Sequence, residues 1–155
     1  MSTPVEQPAP VELSVFVPGA AVPKGSTRAF VVGGKTSKVR AVVVPDNKIP
    51  ARSWAGAVRE DTQRAWREAG QGGPLTGEVT IRLEFVLPRR RSAPKRSTPA
   101  HTRKPDIDKL TRLALDALTS VVWADDAQVT DQHSLKREAQ PDETPGLYLL
   151  VTGSR

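Results

Sequence analysis

The sequence predicts a small α/β fold, in which a mixed β-sheet packs against two principal helices. Two patterns lead there, and the chain length bounds them. Val79, Ile81, Leu83 and Phe85 alternate with Thr80, Arg82 and Glu84, the period of two expected of a half-buried strand. Leu110, Leu113, Ala114, Ala117 and Leu118 recur at spacings of three and four, which puts them on one buried face of a helix. At 155 residues the chain supports one domain with a real core and hardly two. That domain is expected over residues 11–155, after a flexible Pro-rich tail at 1–10 that can bury little apolar area.

Taken in order, Val11, Leu13, Val15 and Val17 suit a strand that Pro18-Gly19 ends. Pro23-Lys24-Gly25-Ser26-Thr27-Arg28 places Lys24 and Arg28 around a glycine that lets backbone approach a ligand, although an ordinary turn has the same composition. The segments 29–32 and 39–44 are β-branched and form a hairpin whose loop carries Lys35 and Lys38. Residues 53–69 predict a helix capped by Ser53, with Trp54 and Trp66 as core anchors, and Gln71-Gly72-Gly73-Pro74 stops it. The strand at 79–85 and the helix after Pro105 follow. Val121-Val122-Trp123 has the composition of a strand, 134–137 of a short pairing segment, and 147–151 of a closing strand.

The charge balance is basic: 23 Lys and Arg against 17 Asp and Glu, a formal +6. Such a surface favours polyanionic partners, nucleic acid first, though it also keeps a small protein in solution. The excess is concentrated between Pro88 and Lys104, where Arg89, Arg90, Arg91, Lys95, Arg96, Arg103 and Lys104 stand without one acidic residue. A flexible loop of this kind can follow phosphates, and the same loop can simply be solvated. The absence of cysteine excludes disulfides, thiolate catalysis and Cys-based zinc sites. The two histidines lack an HExxH-like pattern, so a His-rich zinc site is not expected. With no apolar run of about 18 residues and no leader at the start, the expectation is a cytoplasmic protein without a membrane association.

Chemistry is concentrated in four acids. Lys104-Pro105-Asp106-Ile107-Asp108-Lys109 sets two carboxylates two residues apart at the entry to a helix. In extended backbone, positions i and i+2 point the same way, so Asp106 and Asp108 would face one ion. Asp125-Asp126 follows the apolar run; adjacent strand residues face opposite ways, so Asp126 is assigned to the ion and Asp125 to its support. Hard oxygen ligands suit Mg²⁺, with Mn²⁺ able to substitute. The competing account makes Asp106 or Asp108 an N-cap and Asp125-Asp126 a turn. Arg112, one turn beyond Asp108, either neutralises a phosphate or pairs with Asp116 at i,i+4. His101 is equally consistent with a phosphate contact and with an idle, exposed loop residue.

These residues carry a resemblance. Lys104-Pro105-Asp106-Ile107-Asp108-Lys109-Leu110, continued by Leu115-Asp116-Ala117-Leu118-Thr119 and Trp123-Ala124-Asp125-Asp126-Ala127-Gln128-Val129, with Pro23-Lys24-Gly25 near the start, resembles the RusA family of Holliday junction resolvases across most of residues 11–151. The resemblance implies a Mg²⁺-dependent endodeoxyribonuclease of phage or prophage type, a homodimer of small α/β subunits whose two active sites make paired cuts in branched DNA, four-way junctions above all. It matches Asp106 and Asp108 to the family's paired acids, Asp126 to a further essential acid and Asp125 to its acidic neighbour. Two positions depart from the pattern: Lys109 stands where members often carry Asn, and Arg112 where well-studied members carry a catalytic lysine. Arginine keeps the charge but does not readily give up a proton, so phosphate stabilisation alone carries over to Arg112. The DNA-binding residues expected on this reading are Lys24, Arg28, Arg89, Arg90, Arg91, Lys95, Arg96, Arg103, Lys104 and Lys109. The alternatives are a metal-dependent nuclease preferring flaps or forks, and a basic junction-binding protein without catalysis.

Overall fold

A computed structural model describes residues 8–25, 27–32, 40–45 and 48–155, with backbone alone between 27 and 49. Most of the expected tail, and the loop carrying Lys35 and Lys38, therefore lie outside the described residues. The strands are β1 (Val11–Pro18), β2 (Thr27–Val32), β3 (Arg40–Pro45), β4 (Val79–Leu87), β5 (Val129–Glu138) and β6 (Gly146–Gly153); the helices are α1 (Lys48–Glu68) and α2 (Ile107–Leu118). Strands β2 and β3 pair as the predicted antiparallel hairpin. The other four form a mixed sheet in the order β1-β6-β4-β5, antiparallel except for β4 and β5.

The alternation in β4 is the axis of the core. Val79, Ile81, Leu83, Phe85 and Leu87 are buried, and they join Leu13 and Val17 of β1 and Leu147, Leu149 and Val151 of β6. Helix α2 adds Leu110, Leu113, Ala114, Ala117 and Leu118, while α1 adds Trp54, Val58 and Trp66. Each buried leucine contributes about 1.5–3 kcal/mol by leaving water, so the face predicted from spacing is what holds α2 on the sheet. The parallel pairing of β4 with β5 needs a crossover, and α2 supplies it. The basic segment therefore leaves the C-terminal end of β4, whereas the Asp125-Asp126 turn enters the N-terminal end of β5.

Three elements differ from the sequence expectation. Helix α1 begins at Lys48, which leaves Ser53 inside it and Pro50 in its first turn. Proline is tolerated there because the first four amides of a helix have no intrahelical acceptor. Val121-Val122-Trp123 is not a strand. It is a buried tight turn in which the Leu118 carbonyl accepts from the amides of Val121 and Val122, and Ser120 takes a positive φ of 69°. An apolar run reports burial, and burial suits a turn under the core as well as a strand. Finally, the segment expected at 134–137 is ten residues long; β5 is an edge strand whose many polar side chains hide its period. Among the described residues no helix is long and apolar enough to cross a membrane.

Candidate active site

The exposed face of α2 forms one wall of a groove of about 740 Å³. Asp108, Arg112 and Asp116 follow one another at i, i+4 and i+8 and line it together with Ile107, Thr111 and Leu115. Gln132, His133 and Ser134 of β5 form the facing wall, and Asp126 closes one end. A hydrogen bond of 3.0 Å from Thr111 Oγ1 to Ser134 Oγ ties the walls together. Asp108 lies in the first turn of α2, where a negative charge is favoured by the helix dipole. Arg112 makes no side-chain hydrogen bond or ion pair among the described residues. Its alternative partner is already taken: Lys24 Nζ stands 2.5 Å from Asp116 Oδ2.

Only one of the paired acids is extended. Asp106 is the N-cap of α2 with φ −74° and ψ 138°, makes no side-chain cap bond, and lies 4.0 Å from Lys109 Nζ. Asp108 is already helical, so the parallel i,i+2 orientation expected of two extended residues is not formed. At the other end of α2, Asp126 Oδ1 accepts from Thr119 Oγ1 at 2.5 Å and from Trp123 Nε1 at 2.8 Å, and Oδ2 carries neither bond. Asp125 does not sit on a strand. It is the N-cap of a 3-10 turn at Asp126–Gln128, with Oδ1 accepting from the Ala127 amide and the Gln128 side chain accepting from the Asp125 amide. The competing account of this pair as a capped turn therefore holds for its backbone.

The groove brings Asp108 and Asp126 to one surface without bringing them together. Asp108 and Thr119, to which Asp126 is bonded, are separated by roughly 16 Å of helix rise. Consistent with this, among the described residues no group of three His, Asp or Glu side chains could hold a metal ion.

The basic segment is anchored by an acid that sequence reasoning missed. Glu138, at the end of β5, is fully buried; its Oε1 accepts from the Arg90 amide at 2.7 Å and from Arg103 Nη2 at 3.3 Å. Those bonds, the Arg90 amide first, hold its carboxyl below the ordinary range against the opposing effect of burial. Lys136, two residues earlier and so on the same face of β5, donates to the carbonyls of Arg103 and Pro105. Arg89 donates to Thr98 Oγ1 and to the carbonyls of Ala139, Pro94 and Ser97. Of the cations predicted to bind DNA, Arg89 and Arg103 are thus engaged inside the protein, Arg90 pairs through its Nε at 3.7 Å from Glu138 Oε2, and Lys24 pairs with Asp116. Arg91, Lys95, Arg96 and Lys104 are exposed and have no such partner among the described residues. The side chain of Arg28 lies outside the described residues. His101 is buried at 7%, not exposed; burial, then Arg103 and Lys136, lower its pKa.

The same edge strand predicts an acid limb of stability. Arg137 grips Glu143 in a fork of 2.5 and 2.8 Å, and this pair, with the Gln140 amide, lowers the Glu143 pKa from 4.5 to about 2. A carboxyl depressed in the folded state adds stability above its unfolded pKa and loses it as pH falls toward the folded value. We therefore expect Tm to fall between pH 4.5 and about 2, and Glu143→Gln to flatten that fall. Parallel slopes for the two proteins in thermal melts would refute the assignment.

Asp116, Gln132, His133 and Ser134 were not predicted as groove residues. Only Asp116 carried a usable signal, its i,i+4 spacing from Arg112; the rest depend on how β5 docks beside α2. Compared with known proteins, residues 18–151 match the family model described as Endodeoxyribonuclease RusA. No curated protein matches the chain.

Proposed function

The chain belongs to the RusA family of endodeoxyribonucleases, and on that premise we propose that it is a Mg²⁺-dependent, homodimeric enzyme that resolves four-way DNA junctions by paired hydrolytic cuts. The observation that carries this reading is the groove along α2, where Asp108, Arg112 and Asp126 line one surface beside a loop of outward-facing cations. Exposed Arg91, Lys95, Arg96 and Lys104 would track the phosphate backbone, which positions DNA without selecting its sequence. Lys24 and Lys109 are assigned the same task closer to the groove.

The donor set suits Mg²⁺ by its chemistry. This ion keeps several waters and takes one or two carboxylates together with substrate phosphate, so it does not require an all-protein cage. Asp106 and Asp108 at the entry to α2 are the carboxylates we assign to such an ion, and Asp126, through Oδ2, is assigned to metal at the other end of the groove, with Asp125 fixing the turn that carries it. Bound there, Mg²⁺ would polarise the phosphoryl group and ease deprotonation of the attacking water. Arg112, without a partner among the described residues, offers its guanidinium to the non-bridging oxygens of the scissile phosphate. Water oxygen bonds to phosphorus, the bond to the 3′ oxygen breaks, and that oxygen takes up a proton by way of solvent. The products are 5′-phosphate and 3′-hydroxyl ends.

A panel of matched four-way junction, fork, flap and linear duplex, with and without Mg²⁺, tests the reading. Symmetric paired cuts confined to the junction and dependent on the metal are expected. Preferential cutting of flaps or forks would instead make this a nuclease of different preference. Tight junction binding with no cleavage under any Mg²⁺ or Mn²⁺ condition would make it a binding protein.

A further inference from the structure

A second cavity lies on another flank of α2, against α1 and outside the proposed catalytic groove. It measures about 410 Å³, and Ala55 and Gly56 of α1 line it together with Leu113 and Ala117 of α2, so its walls are small and apolar. Its mouth is basic. Lys24, Arg52 and Arg59, all exposed, stand there against one carboxylate, Asp116, which Lys24 already pairs. An apolar slot of small-ligand size with an excess of cations around its opening fits a flat, weakly polar ring carried on a phosphate chain, which is the chemistry of a nucleotide.

The cavity is joined to the groove at two points. Asp116 lines both. Arg59 donates to the Thr119 carbonyl at 3.1 Å, and the Thr119 hydroxyl donates in turn to Asp126 Oδ1 at 2.5 Å, so the basic mouth and the Asp126 end of the groove meet at one residue. We propose that this cavity receives one unstacked base of the DNA, from a nucleotide neighbouring the phosphate in the groove, while Arg52 and Arg59 hold the phosphates beside that base. The inference rests on the functional reading above and adds a base subsite to it. A branch point is where such a base is available. When the arms of a junction open, the pairs bordering the crossover lack a stacking neighbour on one side, so a base leaves the stack there at less cost than from the interior of a linear duplex. The cavity thereby helps to select branched over linear DNA by the ease of unstacking, without reading sequence.

Gly56 offers a plug for the test. A Cβ built on it meets no heavy atom within 4 Å, and leucine suits a helix interior better than glycine, so Gly56→Leu fills the slot while leaving Tm unchanged or higher. Ala55→Leu enters the slot from the adjacent position and repeats the test. The probe is 2-aminopurine, whose fluorescence rises when it leaves the stack, placed in turn at each position beside the crossover of a four-way junction. Binding is followed in EDTA, where no DNA is cut. The full-length wild-type protein should brighten the probe at one position, and both plugged variants should lose that rise. Their junction affinity should fall about ten-fold, near the lower end of what one bound base contributes, with linear duplex bound as before. On a junction that is abasic at the same position, wild type and variants should bind alike. Brightening that persists in the plugged variants places the base elsewhere and overturns the proposal. So does a wild-type protein that brightens no position, the result expected if the cavity takes a peptide or a second copy of the chain. Brightening lost on plugging, in a protein that cuts no junction with Mg²⁺, would keep the subsite and remove the enzymatic reading; cleavage with undiminished junction preference by the plugged variants would do the reverse.

Discussion

Asp108→Asn is expected to lower Mg²⁺-dependent junction cleavage by about 100- to 1,000-fold, the range typical of removing one preorganised group that stabilises transition-state charge, while leaving most of the DNA affinity in place. The substitution keeps the shape of the side chain and removes the charge a divalent ion needs. Its structural cost is small, because Asp108 is exposed and accepts no hydrogen bond among the described residues; only its favourable position at the helix N-terminus is lost, about 0.3–1 kcal/mol. Asp126→Asn should behave alike, since an amide oxygen can still accept from Thr119 and Trp123. Asp125→Asn provides the contrast. Asparagine caps a turn about as well as aspartate, so a residue acting through that cap should lose only a few-fold in rate. Single-turnover cleavage alongside binding in EDTA separates the two effects. Wild-type rates for the Asp106→Asn, Asp108→Asn and Asp126→Asn variants would remove the catalytic assignment altogether.

How much of this was legible in the sequence depends on the range of the interaction involved. The core strand β4 and the buried face of α2 were readable because their periods of two and 3.6 are carried by consecutive residues. The acids at 106, 108 and 126 were readable as a motif. Their placement was not, because whether an aspartate is extended or helical at a helix entry depends on where the first turn closes. Asp125-Asp126 shows the same limit: an apolar run followed by two acids has one local pattern whether the run is a strand or a turn packed under the core. Glu138 was invisible for a related reason. Nothing near it in sequence needs a carboxylate, and its partners, Arg90 and Arg103, lie 48 and 35 residues away. A segment without acids looked unable to neutralise its own charge, yet β5 brings the counter-charge from outside it.

The counter-charge on β5 changes which cations should matter for DNA. The side chains of Arg89 and Arg103 are hydrogen-bonded within the protein and that of Arg90 pairs with Glu138, so their removal should loosen the loop; Arg91, Lys95 and Arg96 present their charge outward. Replacing these last three together with alanine is expected to weaken junction binding and to reduce the slope of log K against log salt by about 2.7, close to 0.9 for each phosphate that is no longer neutralised. Thermal stability should barely change, since none of the three has a hydrogen-bond partner in the protein among the described residues. Arg89→Ala should do the reverse. It leaves the carbonyls of Pro94, Ser97 and Ala139 and the Thr98 hydroxyl without their donor, lowering Tm and raising backbone exchange across the loop, while altering the salt slope little if Arg89 touches no phosphate. Titrations at several salt concentrations, paired with melts of the same variants, distinguish the two classes. An unchanged slope in the triple variant would mean that the segment does not follow the DNA backbone, because a cation that displaces counterions from a phosphate cannot be removed without changing the salt dependence.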